Sequence, residues 1–153
     1  MQKITPFLWF DDNAEEAVEL YVSTFKNSKI SSVSRNGGPT GPIMQVTFEL
    51  EGQQFMALNG GPHFTFSPAI SLFVSCETQA EVDELWNKLS EDGEPQECGW
   101  VRDKFGVSWQ IIPTALGRLL GDPDPEKGQR VMQAMLSMTK LDIAGLERAH
   151  QGK

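Results

Sequence analysis

The sequence predicts an α+β chain made of two β-α-β-β-β modules followed by C-terminal helices. Three observations carry this: two strand-like runs that each lead straight into an amphipathic helix, alternating strands after the first helix, and the recurrence of one motif order at two places. The 153 residues, 39% hydrophobic and 22% charged, are ordinary globular values, enough to bury a core without disulfides.

Ile4–Phe10 is a short apolar run that stops at Asp11-Asp12-Asn13, the pattern of a buried strand ending at a helix cap. Asp12 with Glu15 fits a capping box, and Ala14, Ala17, Val18, Tyr21 and Phe25 recur at helical spacing, so a helix is expected over 13–25. Strands follow at 29–36, 43–50 and 54–60. Asn36-Gly37-Gly38-Pro39 and Glu51-Gly52 mark the reversals, and Met44, Val46, Phe48 and Leu50 alternate on one face.

The order then restarts with a strand at 69–76 and a helix at 79–91. Thr78 and Glu81 form a second capping box before Val82, Leu85, Trp86 and Leu89. Strands are expected at 96–102 and 107–112. Ile4–Leu8 faces Ile70–Val74, Ala17–Tyr21 faces Val82–Trp86, and Gly52–Phe55 matches Gly106–Trp109. The modules are thus 3–62 and 69–113. From Thr114 the pattern changes to helices: Asp124-Pro125-Glu126 is a start signal, and Asp142 opens a last short helix. Residues 114–153 form a helical extension whose stripe of Val131, Met132, Met135 and Leu136 is read as packing.

The net charge of −8 offers no basic patch, which argues against nucleic acid and anionic membrane surfaces as partners. No apolar run is long enough to span a bilayer or to act as a signal peptide, and Cys76 and Cys98 lack C-x-x-C spacing. The expected compartment is a reducing cytoplasm.

Ala14–Tyr21, Asn59–Pro62 and the run C-G-W-V-R-D-K-F-G-V-S-W-Q-I-I-P over Cys98–Pro113 resemble the PhnB-like proteins of the glyoxalase, bleomycin-resistance and dioxygenase (vicinal oxygen chelate) superfamily. Some members carry the label 3-demethylubiquinone 3-methyltransferase. The resemblance implies a glyoxalase-like fold, in which each module curls into half of an open mixed β-barrel enclosing a small-molecule cavity. It also implies a homodimer and C-terminal helices typical of the branch. Metal-dependent members place ligands at positions that fall here on Thr5, Met56, Ser71 and Gln110. Those four side chains include no imidazole, thiolate or carboxylate, so neither a metal nor another cofactor is expected.

The candidate cavity residues are Trp9, Asn59, Cys98, Trp100 and Gln110. Asn59 and Gln110 are amides at the ends of apolar strands, where a buried amide needs a partner. Cys98 is a candidate cavity thiol, although no histidine stands in a context to activate it. Trp9, Trp100 and Trp109 are read as core aromatics that could line a pocket. Asp103–Gly106 reads as a hairpin turn, and His63 and His150 as solvated surface residues. The glycine pairs Gly37-Gly38 and Gly60-Gly61 precede no helix, so they do not form a nucleotide-binding turn. Three functions remain open: an enzyme of unknown reaction on a small molecule, a non-catalytic sequestration protein of the drug-resistance kind, suited to a cationic ligand, or an interaction protein with a vestigial cavity.

Overall fold

The computed structural model describes residues 2–153, in the order β1 (Phe7–Phe10), α1 (Ala14–Thr24), β2 (Lys29–Arg35), β3 (Ile43–Leu50), β4 (Gln53–Asn59), β5 (Ser71–Cys76), α2 (Gln79–Ser90), β6 (Glu94–Pro95), β7 (Trp100–Arg102), β8 (Ser108–Pro113), α3 (Thr114–Leu120), α4 (Pro125–Leu136) and α5 (Ile143–His150). The chain divides into two compact units, Met1–Phe66 and Ser67–Lys153.

The first unit is one four-stranded sheet, ordered β1-β4-β3-β2, with β1 parallel to β4 and the remaining pairs antiparallel. Ala14, Ala17, Val18 and Tyr21 of α1 are fully buried, as are Val46, Phe48 and Ala57 on the strands. Phe48 and Phe55 stand directly opposite on β3 and β4 with stacked rings 5.4 Å apart, a cross-strand aromatic pair that pins the register. The hairpin between them turns at Glu51 and Gly52, both at positive φ (50° and 84°), the conformation a two-residue type I′ connection requires.

Within the second unit the sheet is ordered β5-β8-β7-β6, again with its first strand parallel to its last. The registers confirm the repeat: Phe7 pairs with Met56 in the first sheet and Phe73 with Gln110 in the second. Trp86, Leu85, Val82 and Leu89 of α2 are buried, and Trp109, Ile111 and Val101 are buried on the strands. The C-terminal helices build a further core of Ile112, Leu116, Leu119, Val131, Leu141 and Leu146. Among the described residues no helix is long and apolar enough to cross a membrane.

Four local expectations need correction. β1 begins at Phe7 and not at Ile4, since Pro6 has no N–H to donate to the ladder, although its carbonyl accepts from the Met56 N–H at 3.0 Å. Of the predicted strand 96–102 only Trp100–Arg102 forms, as β7; β6 lies ahead of it at Glu94–Pro95, and between them is a turn in which Cys98 and Gly99 both have positive φ. The α4 stripe is split: Val131 is buried and Met135 packs on the core, but Met132 and Leu136 face outward at 41% and 57% exposure. His150 is not a solvated surface residue, for its ring nitrogen lies 2.7 Å from the Asp122 carboxylate and its side chain is mostly covered.

The start of α1 is also not the expected capping box. Asn13 is the N-cap residue and makes no side-chain cap bond; the Ala14 N–H is instead accepted at 2.8 Å by Oδ1 of Asn59, at the end of β4. The amide nitrogen of Asn59 in turn donates to the Ile43 carbonyl at 3.2 Å. One side chain thus fastens α1, β3 and β4, satisfying one of the donors a helix start leaves open. At α2 the Thr78 cap forms as expected, with Oγ1 accepting from the Glu81 N–H, while the Glu81 carboxylate accepts from the Glu77 N–H and not from that of Thr78. Asn59→Ala should lower unfolding free energy by about 1–2 kcal/mol, the sum of a lost cap and a lost carbonyl partner. Urea denaturation measures it, and a variant as stable as the parent would contradict this role.

Candidate functional site

The module helix, α1 or α2, packs one face of its sheet, and strand parity decides which residues the other face presents; in the second unit the C-terminal helices also cover that other face at its Ile112 end. In the first unit Phe7 and Trp9 on β1 and Met56 and Leu58 on β4 share that second face, opposite to the buried Phe55 and Ala57. Trp9 is half-buried. Its indole N–H donates to the Gly61 carbonyl at 2.9 Å, and its ring meets Phe64 edge-on at 5.0 Å and His63 at 6.4 Å. A Cβ at Gly60 would lie 2.3 Å from the indole, so that loop depends on glycine to fold against Trp9.

The second unit brings together three of the residues marked from sequence. Gln110 on β8 donates through Nε2 to Ser71 Oγ on β5 at 2.9 Å, and Trp100 on β7 stands directly opposite Gln110. Phe73, also paired with Gln110, is 60% exposed. Ser71 and Gln110 are two of the positions where metal-dependent relatives are expected to carry ligands, and here they form a neutral hydroxyl and amide pair. Met56 occupies the equivalent β4 position, and Thr5 lies ahead of β1, outside the ladder. Among the described residues no three His, Cys, Asp or Glu side chains come together to hold a metal ion. The thioether, hydroxyl and amide present do not suit a divalent cation, which demands anionic or imidazole donors.

The other sequence candidates are placed elsewhere. Asn59 points to the helix side of its sheet, where both ends of its amide are held. Cys98 lies in the turn between β6 and β7, at φ 60°, and its N–H donates to the Met138 carbonyl at 2.9 Å. The Gly99 N–H reaches the Thr139 carbonyl, so the turn anchors the link between α4 and α5. Asp103 forms the expected hairpin turn. It is buried, and its carboxylate accepts from the N–H groups of Phe105 and Val107 and from the Trp109 indole at 2.9–3.0 Å, which satisfies a charge that burial would otherwise penalise. Gly37 and Gly38 turn β2 toward β3 at positive φ, and neither glycine pair opens a helix.

Two features escaped the sequence reading. Phe73 had a signal in its parity, since it alternates with Leu72 and Val74 in the same phase as Ser71 and Ser75. A cavity of about 620 Å³ in the first unit lies by the start of α1 and the β2–β3 loop, lined by Asp11, Asp12, Glu15 and Glu16 together with Asn36 and Asn59. The Asp-Asp-Asn-Ala-Glu-Glu run was its only trace in the sequence.

The paired β-α-β-β-β units with two unclosed mixed sheets define a glyoxalase-like fold. Comparison with known proteins agrees. The profile of the 3-demethylubiquinone-9 3-methyltransferase family matches residues 2–112, and the chain belongs to that family. A putative 3-demethylubiquinone-9 3-methyltransferase, PhnB protein, from Bacillus cereus is 43% identical with a TM-score of 0.67, covering 74% of this chain and 100% of that one. Protein PA1353 from Pseudomonas aeruginosa shares the fold at 23% identity and a TM-score of 0.64, over 74% of this chain and 98% of its own. No curated protein matches significantly. The family match stops at residue 112, so it does not extend to the C-terminal helices.

Cys76 is not set up as a nucleophile. Cys76 is buried on the helix side of β5; burial pushes its thiol up to about 12, and the neighbouring Glu81 carboxylate adds to the shift by disfavouring a second negative charge. In a Cys98→Ala protein, Ellman's reagent at neutral pH should find no reactive thiol in the folded state and one after unfolding. Rapid labelling of folded protein would contradict this placement.

Proposed function

We propose that this chain is a metal-independent small-molecule-binding protein of the PhnB-like family, and that its ligand contacts the face of the second sheet opposite α2, at Gln110, Ser71, Trp100 and Phe73. The observation that carries the reading is the Ser71–Gln110 hydrogen bond on a sheet face that its own helix leaves open. Gln110 retains a carbonyl acceptor and a second N–H, and the Ser71 hydroxyl retains a donor. Trp100 and an exposed Phe73 supply apolar surface beside them. Few polar groups on an apolar lining is the usual composition of a small-molecule site.

This chemistry favours an uncharged ligand carrying a carbonyl or hydroxyl next to a ring or aliphatic body. A sequestration role, with binding and no turnover, needs nothing beyond these contacts. The acidic cavity of the first unit gives some support to the alternative of a cationic ligand. No methyl transfer is included in the proposal, because no strand, glycine turn and helix unit holds a nucleotide cofactor.

The test is a thermal-shift and calorimetric screen of neutral and singly charged metabolites, run with chelator present. The expected outcome is at least one ligand whose affinity falls about ten-fold in Gln110→Ala, the worth of about one hydrogen bond to a buried partner. Hits that bind the variant equally well, or that bind only after nickel or zinc is added, would overturn the proposal.

A further inference from the structure

The chain contains two Asn-Gly pairs, Asn36-Gly37 and Asn59-Gly60, and the fold treats them in opposite ways. Asparagine followed by glycine is the pair in which the next backbone nitrogen can most readily reach the side-chain amide carbon, because glycine has no side chain to obstruct the approach. We infer that Asn36 is a site of spontaneous conversion to aspartate and isoaspartate in the folded protein, while Asn59 is held unreactive by its hydrogen bonds.

Asn36 is exposed in the long turn between β2 and β3, beside Gly37 and Gly38 at φ 81° and 104°. A Cβ built on either glycine would meet nothing within 4 Å, so the backbone there has room to rotate and water has access. Among the described residues the Gly37 N–H donates to no backbone carbonyl; the turn is tied by the Asn36 N–H to Pro42, the Gly41 N–H to Gly38 and the Arg35 guanidinium to the Gly41 carbonyl, none of which uses the Gly37 nitrogen or the Asn36 side chain. Among the described residues no hydrogen bond engages the attacking nitrogen or the side-chain amide it attacks.

Asn59 is restrained at three points. Its Oδ1 accepts from the Ala14 N–H, its Nδ2 donates to the Ile43 carbonyl, and the Gly60 N–H donates to the Phe10 carbonyl at 2.9 Å. For the reaction to proceed there, the cap of α1 and the parallel pairing with β1 must both open.

The chemistry needs only water. The Gly37 nitrogen bonds to Cγ of Asn36, the Cγ–Nδ2 bond breaks, and the departing nitrogen takes up the displaced proton to leave as ammonia. Water then opens the five-membered imide at either carbonyl. One opening gives aspartate, and the other gives isoaspartate with the main chain rerouted through Cγ. Both products place a new carboxylate at a residue that lines a cavity already holding Asp11, Asp12, Glu15 and Glu16, and the isoaspartate also lengthens the turn by one carbon. The product turn would therefore make that cavity less receptive to anions.

The experiment is incubation of the purified chain at 37 °C and mildly alkaline pH, with peptide mass spectrometry and an isoaspartyl assay over time, in buffer and in urea. In buffer Asn36 should convert at least about ten-fold faster than Asn59, because only Asn59 must first break hydrogen bonds. In urea, where the two sites lose their structural difference, the rates should converge. Asn36→Gln should remove most of the isoaspartate formed by folded protein. Equal rates at the two sites in folded protein, a stable Asn36, or an unchanged isoaspartate yield in Asn36→Gln would each overturn the inference.

Discussion

A four-stranded sheet has two faces, and in each unit of this protein a single amphipathic helix covers one of them. That constraint sets most of the rest. It makes β3 alternate between buried Val46, Phe48 and Leu50 and the partly exposed Gln45, Thr47 and Glu49. It also leaves Phe7, Trp9, Met56 and Leu58 in one unit, and Phe73, Trp100, Ser71 and Gln110 in the other, off the face that the unit's own helix seals. The side chains assigned to the ligand in the proposed function are therefore ones that the unit's own helix does not bury.

The repeat shows how one structural problem is solved twice with different residues. In register, Asn59 pairs with Phe10 in the first sheet and Pro113 pairs with Cys76 in the second, so Asn59 and Pro113 are equivalent. Pro113 has no side-chain acceptor, and α2 carries its own cap in Thr78. α1 has no such cap bond, and the strand-end amide of Asn59 supplies it across the sheet. The lost symmetry has a further effect at Asn59: the contacts that cap a helix also keep a chemically fragile Asn-Gly pair intact.

Much of this was legible in the sequence. The helical stripes of α1 and α2, the alternation of β3, the glycine reversal at Glu51-Gly52 and the order of the repeat all follow from local rules that the core obeys. What was not legible depended on distance. The sequence marks Asn59 as an amide needing a partner, but that its partners are Ala14 and Ile43 is settled only when β4 lies beside α1. Cys98 sits in a run that matches the family, yet its position is set by a turn whose N–H groups bond to residues of the distant α4–α5 link. His150 looked like a surface residue because nothing near it in sequence announces Asp122. Ser71 and Gln110 were aligned by resemblance, and their hydrogen bond emerges from the parallel register of β5 and β8.

The chemistry assigned to the open face rests on the nature of that pair. A hydroxyl and an amide offer a cation no charge to offset the water it must shed, whereas both groups suit an uncharged ligand. The most direct test is elemental analysis of protein purified without a metal-affinity column, followed by equilibrium dialysis against nickel and zinc at micromolar concentration. The account predicts far less than one equivalent of bound metal in both. One equivalent retained, and lost on replacing Gln110 or Ser71, would contradict it.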